Sequence, residues 1–349
     1  MNKQALIDVL EMKQPISKVT LKDVDLSGCN LKNALFIECV FINCNLTGTD
    51  FSHSIFNLCD FQHQPFTGCV ISNITFNQCN LLGLTIKDQQ IKSSHFVSCE
   101  LSGADIANSE LAKCGFVKSN LSNSKWHQSK LTQSVFIECQ LDRIQFLSMH
   151  MEGFTMGNTD FSTAKISQCQ FIRGAFSECN FDELPLFENQ WQYCTLNKCS
   201  FVQSQFTGGK FNQCNFSESH FHHNDFTNSE FFQTLFNKST IEEGVFNQCN
   251  LAQANFSETV INDTVFEHCS SKQSQWKKLT MLASQCSDCD FTMGDFSNAK
   301  FIKSTLSHCN FSHANWHNLQ SENSHWQSNQ KQGIRKTDVQ RLLAEGATA

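Results

Sequence analysis

The chain has 349 residues and a net charge of −7, with 33 Phe and 19 Cys set against three Pro and one Tyr. It carries no apolar leader and no run of 18 apolar residues, so the expectation is a cytoplasmic protein with no membrane partner. Twelve acidic and three basic side chains lie between Glu178 and Glu267, a local excess that argues against nucleic acid as a ligand.

Taken in chain order, the first element is a short helix. Leu6, Val9 and Leu10 recur at helical spacing in "KQALIDVLEM" (3–12), and Pro15 follows. Residues 1–15 therefore read as an N-terminal capping helix. From Leu21 a different rhythm begins. Every fifth residue is large and apolar as far as Trp326, and of these 62 slots only Ser271, Cys286 and Ser321 depart. Thirty of the 33 Phe fall in this frame, where chance would place about a fifth, so residues 16–328 form one repeat array. The stretch "FNQCN" recurs at 76, 211 and 246 because the same slots are being refilled.

Two places before each large residue the chain is usually small, and 18 of the 19 cysteines sit there. A residue type confined to one phase of a repeat is chosen for size and burial, so the cysteines read as packing rather than as disulfides or metal ligands. A period of five suits neither a helix nor a flat strand. It suits a coil that turns a corner every five residues, with one large and one small side chain inward. "CNLAQANFSETV" (249–260) and "CNFSHANW" (309–316) resemble the pentapeptide-repeat family, and the likeness covers roughly residues 21–328. The resemblance implies an all-β fold: a right-handed quadrilateral β-helix of about 15 coils, four repeats to the coil, with short terminal helices.

With four sides, positions twenty apart stack. Residues 178, 198, 218, 238, 258 and 278 then form one exposed column reading Glu, Lys, Glu, Lys, Glu, Lys, which supports four repeats per coil on its own. Oversized residues occupy small slots at several points, among them Gln64, Leu84, Phe154 and Leu279, where bulging of the coil is expected. The tail, 329–349, contains "RKTDVQRLLAEGA", a predicted helix with Thr337 as N-cap and Gly346 as stop. Its apolar residues Val339, Leu342 and Leu343 suit either an end cap or a homodimer contact.

The chain has no phosphate loop, metalloprotease motif or nucleophile elbow, so no enzyme activity and no cofactor are expected. Two histidine groups, His220, His222 and His223, and His308, His313, His317 and His325, fall mostly at outward phases and are not read as metal sites. The expected function is a non-enzymatic scaffold for other proteins. The opening "ALIDVLEMKQPISKVTLKDVDLSGCNL" is similar to the start of long pentapeptide-repeat proteins of bacterial type VI secretion, which implies spike or effector-loading components as partners. The alternative is a DNA-mimicking inhibitor or protector of DNA gyrase and topoisomerase IV, since the Phe- and Cys-rich repeats are also similar to the quinolone-resistance members. Candidate partner-binding residues are the acidic side chains outside the Glu/Lys column: Asp182, Glu183, Glu242, Glu243 and Asp263.

Overall fold

The computed structural model describes residues 1–346; the last three residues of the tail, and of any end-cap reading placed on them, lie outside the described residues. The chain divides into two units, Met1–Ala175 and Phe176–Ala349, and each is a parallel β-solenoid with a twenty-residue coil.

In the first unit Phe36 pairs with Phe56, Phe56 with Phe76, Phe96 with Phe116 and Phe116 with Phe136, all in parallel strands. Their rings stack at centroid separations of 4.7 to 5.3 Å. The second unit repeats the ladder with Phe216, Phe236, Phe256, Trp276 and Phe296, at 4.2 to 5.9 Å. Each buried ring contributes about 1.5 to 3 kcal/mol from area removed from water, and stability accumulates coil by coil.

Among the described residues, every non-glycine residue with positive φ lies at the same phase of the five-residue period, and from Lys18 to Ser328 this is two places after the large-residue slot. The left-handed conformation costs an L-residue roughly 1 kcal/mol or more. Its N–H is satisfied in return: that of Asp23 donates to the Ile42 carbonyl and that of Glu258 to Lys277, one coil on.

The residue just before the large one biases the route of the corner, and stacked corners of one column share it. Where it is Asn or Asp, its side chain commonly accepts the N–H two residues on, as at Ser27 from Asp25, Ser122 from Asn120 and Ser257 from Asn255. There the chain closes an i to i+3 bond, such as Ala254 N–H to Leu251 O, with the φ signs of a type II turn. Where it is β-branched the same five residues often run as a three-residue strand, as in Val135–Ile137 and Thr240–Glu242, but Val70, Thr195, Gln205 and Gln275 lead into turns and Asp105 begins a strand.

The cysteines are free, and all but the half-buried Cys139 are buried. Their thiols donate to carbonyls of the previous coil, Cys79 to Phe56 and Cys169 to Phe146, both at 3.3 Å. Burial pushes the Cys69 thiol up to about 12 and that of Cys169 up to about 11, which keeps them protonated and unreactive.

The expected bulge is absent at Phe154, because a neighbouring coil accommodates the larger side chain, whereas beside Gln64 the ladder is interrupted, Pro65 forming no bridge to Asn45 or Thr85. The Phe154 ring occupies the space above Gly174, where a Cβ would collide with it, and strands His150–Glu152 and Thr155–Gly157 keep their twenty-residue register. The Gln64 amide replaces a missing backbone partner: its oxygen accepts the Cys44 N–H at 2.9 Å and its nitrogen donates to the Cys44 carbonyl at 2.6 Å.

Helix α1, Lys3–Glu11, starts at Asn2, whose side chain accepts from the Ala5 N–H, and it buries Leu6 completely while packing on the Ile16–Ser17 strand. Bridged rungs continue at the other end to Gln330 and Arg335. Helix α2 spans Val339–Ala344. Asp338, not Thr337, is its N-cap; the Thr337 hydroxyl instead accepts from Asn318 N–H. Gly346 ends it in the left-handed conformation at φ 81°, as expected of a stop. Among the described residues no helix is long and apolar enough to cross a membrane.

Candidate functional site

All five acidic candidates belong to the second unit and lie at two adjacent outward phases, Asp182 and Glu242 at one, Glu183, Glu243 and Asp263 at the other. The structure separates them by role. The Asp182 carboxylate is committed to strand Ser200–Val202 of the next coil, accepting from Val202 N–H and the Ser200 hydroxyl, both at 2.7 Å. Glu183 is exposed in the left-handed conformation.

Glu242 and Glu243 are brought together with His222 and His223 by the pairing of strands His220–His222 and Thr240–Glu242, in which His222 faces Glu242; Asp263 stands one coil further on, at the phase of Glu243. His223 Nδ1 lies 2.9 Å from Glu243 Oε2, and His222 Nδ1 lies 3.6 Å from Glu242 Oε2. The two imidazoles are 4.0 Å apart between ring centroids. Asn262 on the following coil donates to the other Glu242 oxygen at 3.5 Å. His220 turns to the side, with Nδ1 2.8 Å from the Thr240 hydroxyl. The cluster escapes a linear reading because its members are twenty residues apart; the coil length supplies the signal that brings 222 over 242 and 223 over 243.

The Glu/Lys column is exposed and stacked as predicted, each N–H donating to the coil above it. Ion-pair contact is rarer than the alternation suggests. Lys198 to Glu178, at 3.7 Å, is the one rung of the column at ion-pair distance among the described residues.

At the C-terminal helix, Val339 and Leu343 are each 56% exposed, and Leu342 is half-buried. What docks the helix is His317, which is buried rather than outward-facing. Its Nδ1 accepts the Asp338 N–H at 3.1 Å, so the neutral ring carries its proton on Nε2 and donates to the Glu345 carboxylate at 3.2 Å. Arg341 donates to the same carboxylate at 2.7 Å and holds it below the usual glutamate range. Beside it, the Lys331 ammonium sits 5.4 and 5.6 Å from the rings of Trp316 and Trp326.

No curated protein matches the chain. Among solved structures, a trypsin-treated form of QnrB1, a plasmid-mediated fluoroquinolone resistance protein, is 13% identical over 77% of this chain and 99% of its own, with a TM-score of 0.23. HetL, a pentapeptide repeat protein involved in heterocyst differentiation regulation from the cyanobacterium Nostoc, is 9% identical over 96% of both chains, with a TM-score of 0.13. Rfr23, from the cyanobacterium Cyanothece, is 11% identical over 42% of this chain and 89% of its own, with a TM-score of 0.15. Likenesses at that level carry no argument about activity or partner. The family models speak more directly: the pentapeptide repeat region matches residues 69–146, and the pentapeptide repeats of eight copies match 20–57, 44–83, 199–237 and 283–315. With the five-residue frame and the twenty-residue register, these matches place the chain in the pentapeptide-repeat family.

Proposed function

We propose that the protein is a non-enzymatic scaffold that binds other proteins in the cytoplasm, its setting bacterial type VI secretion and its partners spike or effector-loading components. The observation that carries the scaffold reading is the division of labour across the coil. Inward slots are filled by stacked apolar side chains, so what the chain offers a partner is its outward columns, held in register by the backbone. The secretion setting draws on the likeness of the first thirty residues to secretion-associated members of the family. The exposed Val339 and Leu343 suit a contact with a second copy of the chain; substitution of both by Ser is expected to turn a dimer into a monomer in analytical ultracentrifugation, and an unchanged mass would discard that contact.

A second reading, inhibition or protection of DNA gyrase and topoisomerase IV, is favoured by one feature: the second unit holds eighteen acidic and twelve basic side chains, whereas the first holds fifteen and fourteen. Capture of partners from native cytoplasm, run beside a Glu242→Lys, Glu243→Lys, Asp263→Lys variant, separates the two. Spike or effector components retained without gyrase support the secretion reading. Gyrase subunits recovered by the wild type and lost by the variant overturn it and make the acidic side a surrogate for DNA.

A further inference from the structure

We propose that His222, His223 and Glu243, with Glu242 completing the set, bind a divalent transition-metal ion of the Zn2+ or Ni2+ class and thereby tie two successive coils of the second unit together. One donor atom each from His222, His223 and Glu243 lie within 4.8 Å of one another. A tetrahedral ion with bonds of 2.0 to 2.2 Å spaces its donors roughly 3.4 Å apart, so small side-chain rotations close the site. The 3.6 Å between His222 Nδ1 and Glu242 Oε2 already approximates such an edge.

Three further features point the same way. His222 Nδ1 is shielded from solvent and makes no hydrogen bond, the condition in which a buried ring nitrogen is explained by a bound ion or water. The ligands come from rigid backbone: His223 and Glu243 both hold positive φ, at 54° and 52°, and their N–H groups donate to Glu242 O and Asn262 O on the next coil. Among the described residues no Lys or Arg pairs with Glu242 or Glu243, whose cationic partners are the imidazoles alone. Imidazole and carboxylate donors without thiolate suit zinc, nickel and copper over magnesium or calcium. Two carboxylates and two neutral imidazoles also leave the ion's double charge balanced.

The test is titration of the purified full chain with ZnCl2, followed by calorimetry and by thermal unfolding. His223→Asn and Glu243→Gln are suitable variants because Asn228, Gln233 and Gln253 already occupy that phase with positive φ. The wild type is expected to take one Zn2+ per chain and to unfold at higher temperature with the ion bound. Each variant is expected to bind at least tenfold more weakly and to lose the thermal shift, while His308→Asn behaves as wild type. Equal binding by the wild type and the double variant, or the absence of saturable binding to the wild type, overturns the proposal. Partner capture plays no part in this readout, so its outcome is independent of the secretion and topoisomerase readings.

Discussion

In the first unit, Phe36, Phe56, Phe76, Phe96, Phe116 and Phe136 lie within three-residue strands, whereas the residues at the same phase of the twenty-residue period in the second unit, from Phe216 to Phe296, lead into turns. The rings stack equally well in both, near 5 Å. The core is therefore indifferent to the backbone route, and the route is common to a whole column of stacked corners. Leu35, Ile55, Thr75, His95 and Val135 begin the strands; Asn215, Leu235, Asn255, Gln275 and Asp295 lead into the turns. A small outward residue with a competing carboxylate or amide favours the turn, and the route is then shared along the column, since Thr195, Leu235 and Gln275 enter turns beside Asn215, Asn255 and Asp295.

This comparison is broken most severely through the core. Phe96→Ala and Phe236→Ala should each cost about 3 to 5 kcal/mol, equally in the two units; a marked inequality in denaturant unfolding would show that strand and turn routes hold the ladder differently. Gly174→Leu is expected to cost about 1 to 3 kcal/mol by overpacking against the Phe154 ring. Most of that loss should vanish in a Phe154→Ala background, and an undiminished loss would mean the two coils do not share that space. Asn255→Val should remove the bond to Ser257 N–H and cost about 0.5 to 1.5 kcal/mol, with the corner remaining a turn in backbone chemical shifts, as Leu235 and Gln275 do on either side.

Acid sharpens the contrast less. Burial pushes the Asp295 carboxyl up, but Ser297, which donates from both hydroxyl and N–H, and then Lys277 hold it below the usual aspartate range. A lowered folded-state value stabilises above the unfolded value near about 4 and is lost as pH falls through the lowered one. Melting temperature should therefore drop below about pH 4, and Asp295→Asn should make that acid limb shallower. Lys198→Ala should change stability by under about 1 kcal/mol, since its pair with Glu178 is exposed.

The five-residue frame was legible because burial repeats without interruption, and the column from 178 to 278 disclosed the coil length. The corner routes are not legible in a single repeat, because a whole column of stacked corners shares one route whatever the residue at each. Bulges were expected at oversized slots because a single repeat shows no neighbour; Gly174 beneath Phe154 becomes meaningful only across the twenty-residue step. The same step hides the histidine and glutamate cluster, and the buried His317 looks outward by phase until α2 is folded over it.

The most direct test is a pair of double-mutant cycles on the second unit's ladder. Phe236→Ala with Phe256→Ala, twenty residues apart and stacked at 4.8 Å, should couple by about 0.5 to 1.5 kcal/mol. Phe216→Ala with Phe256→Ala, two coils apart, should be additive within about 0.5 kcal/mol. Additivity in the first pair, or strong coupling in the second, would contradict a coil of four repeats and every column built on it.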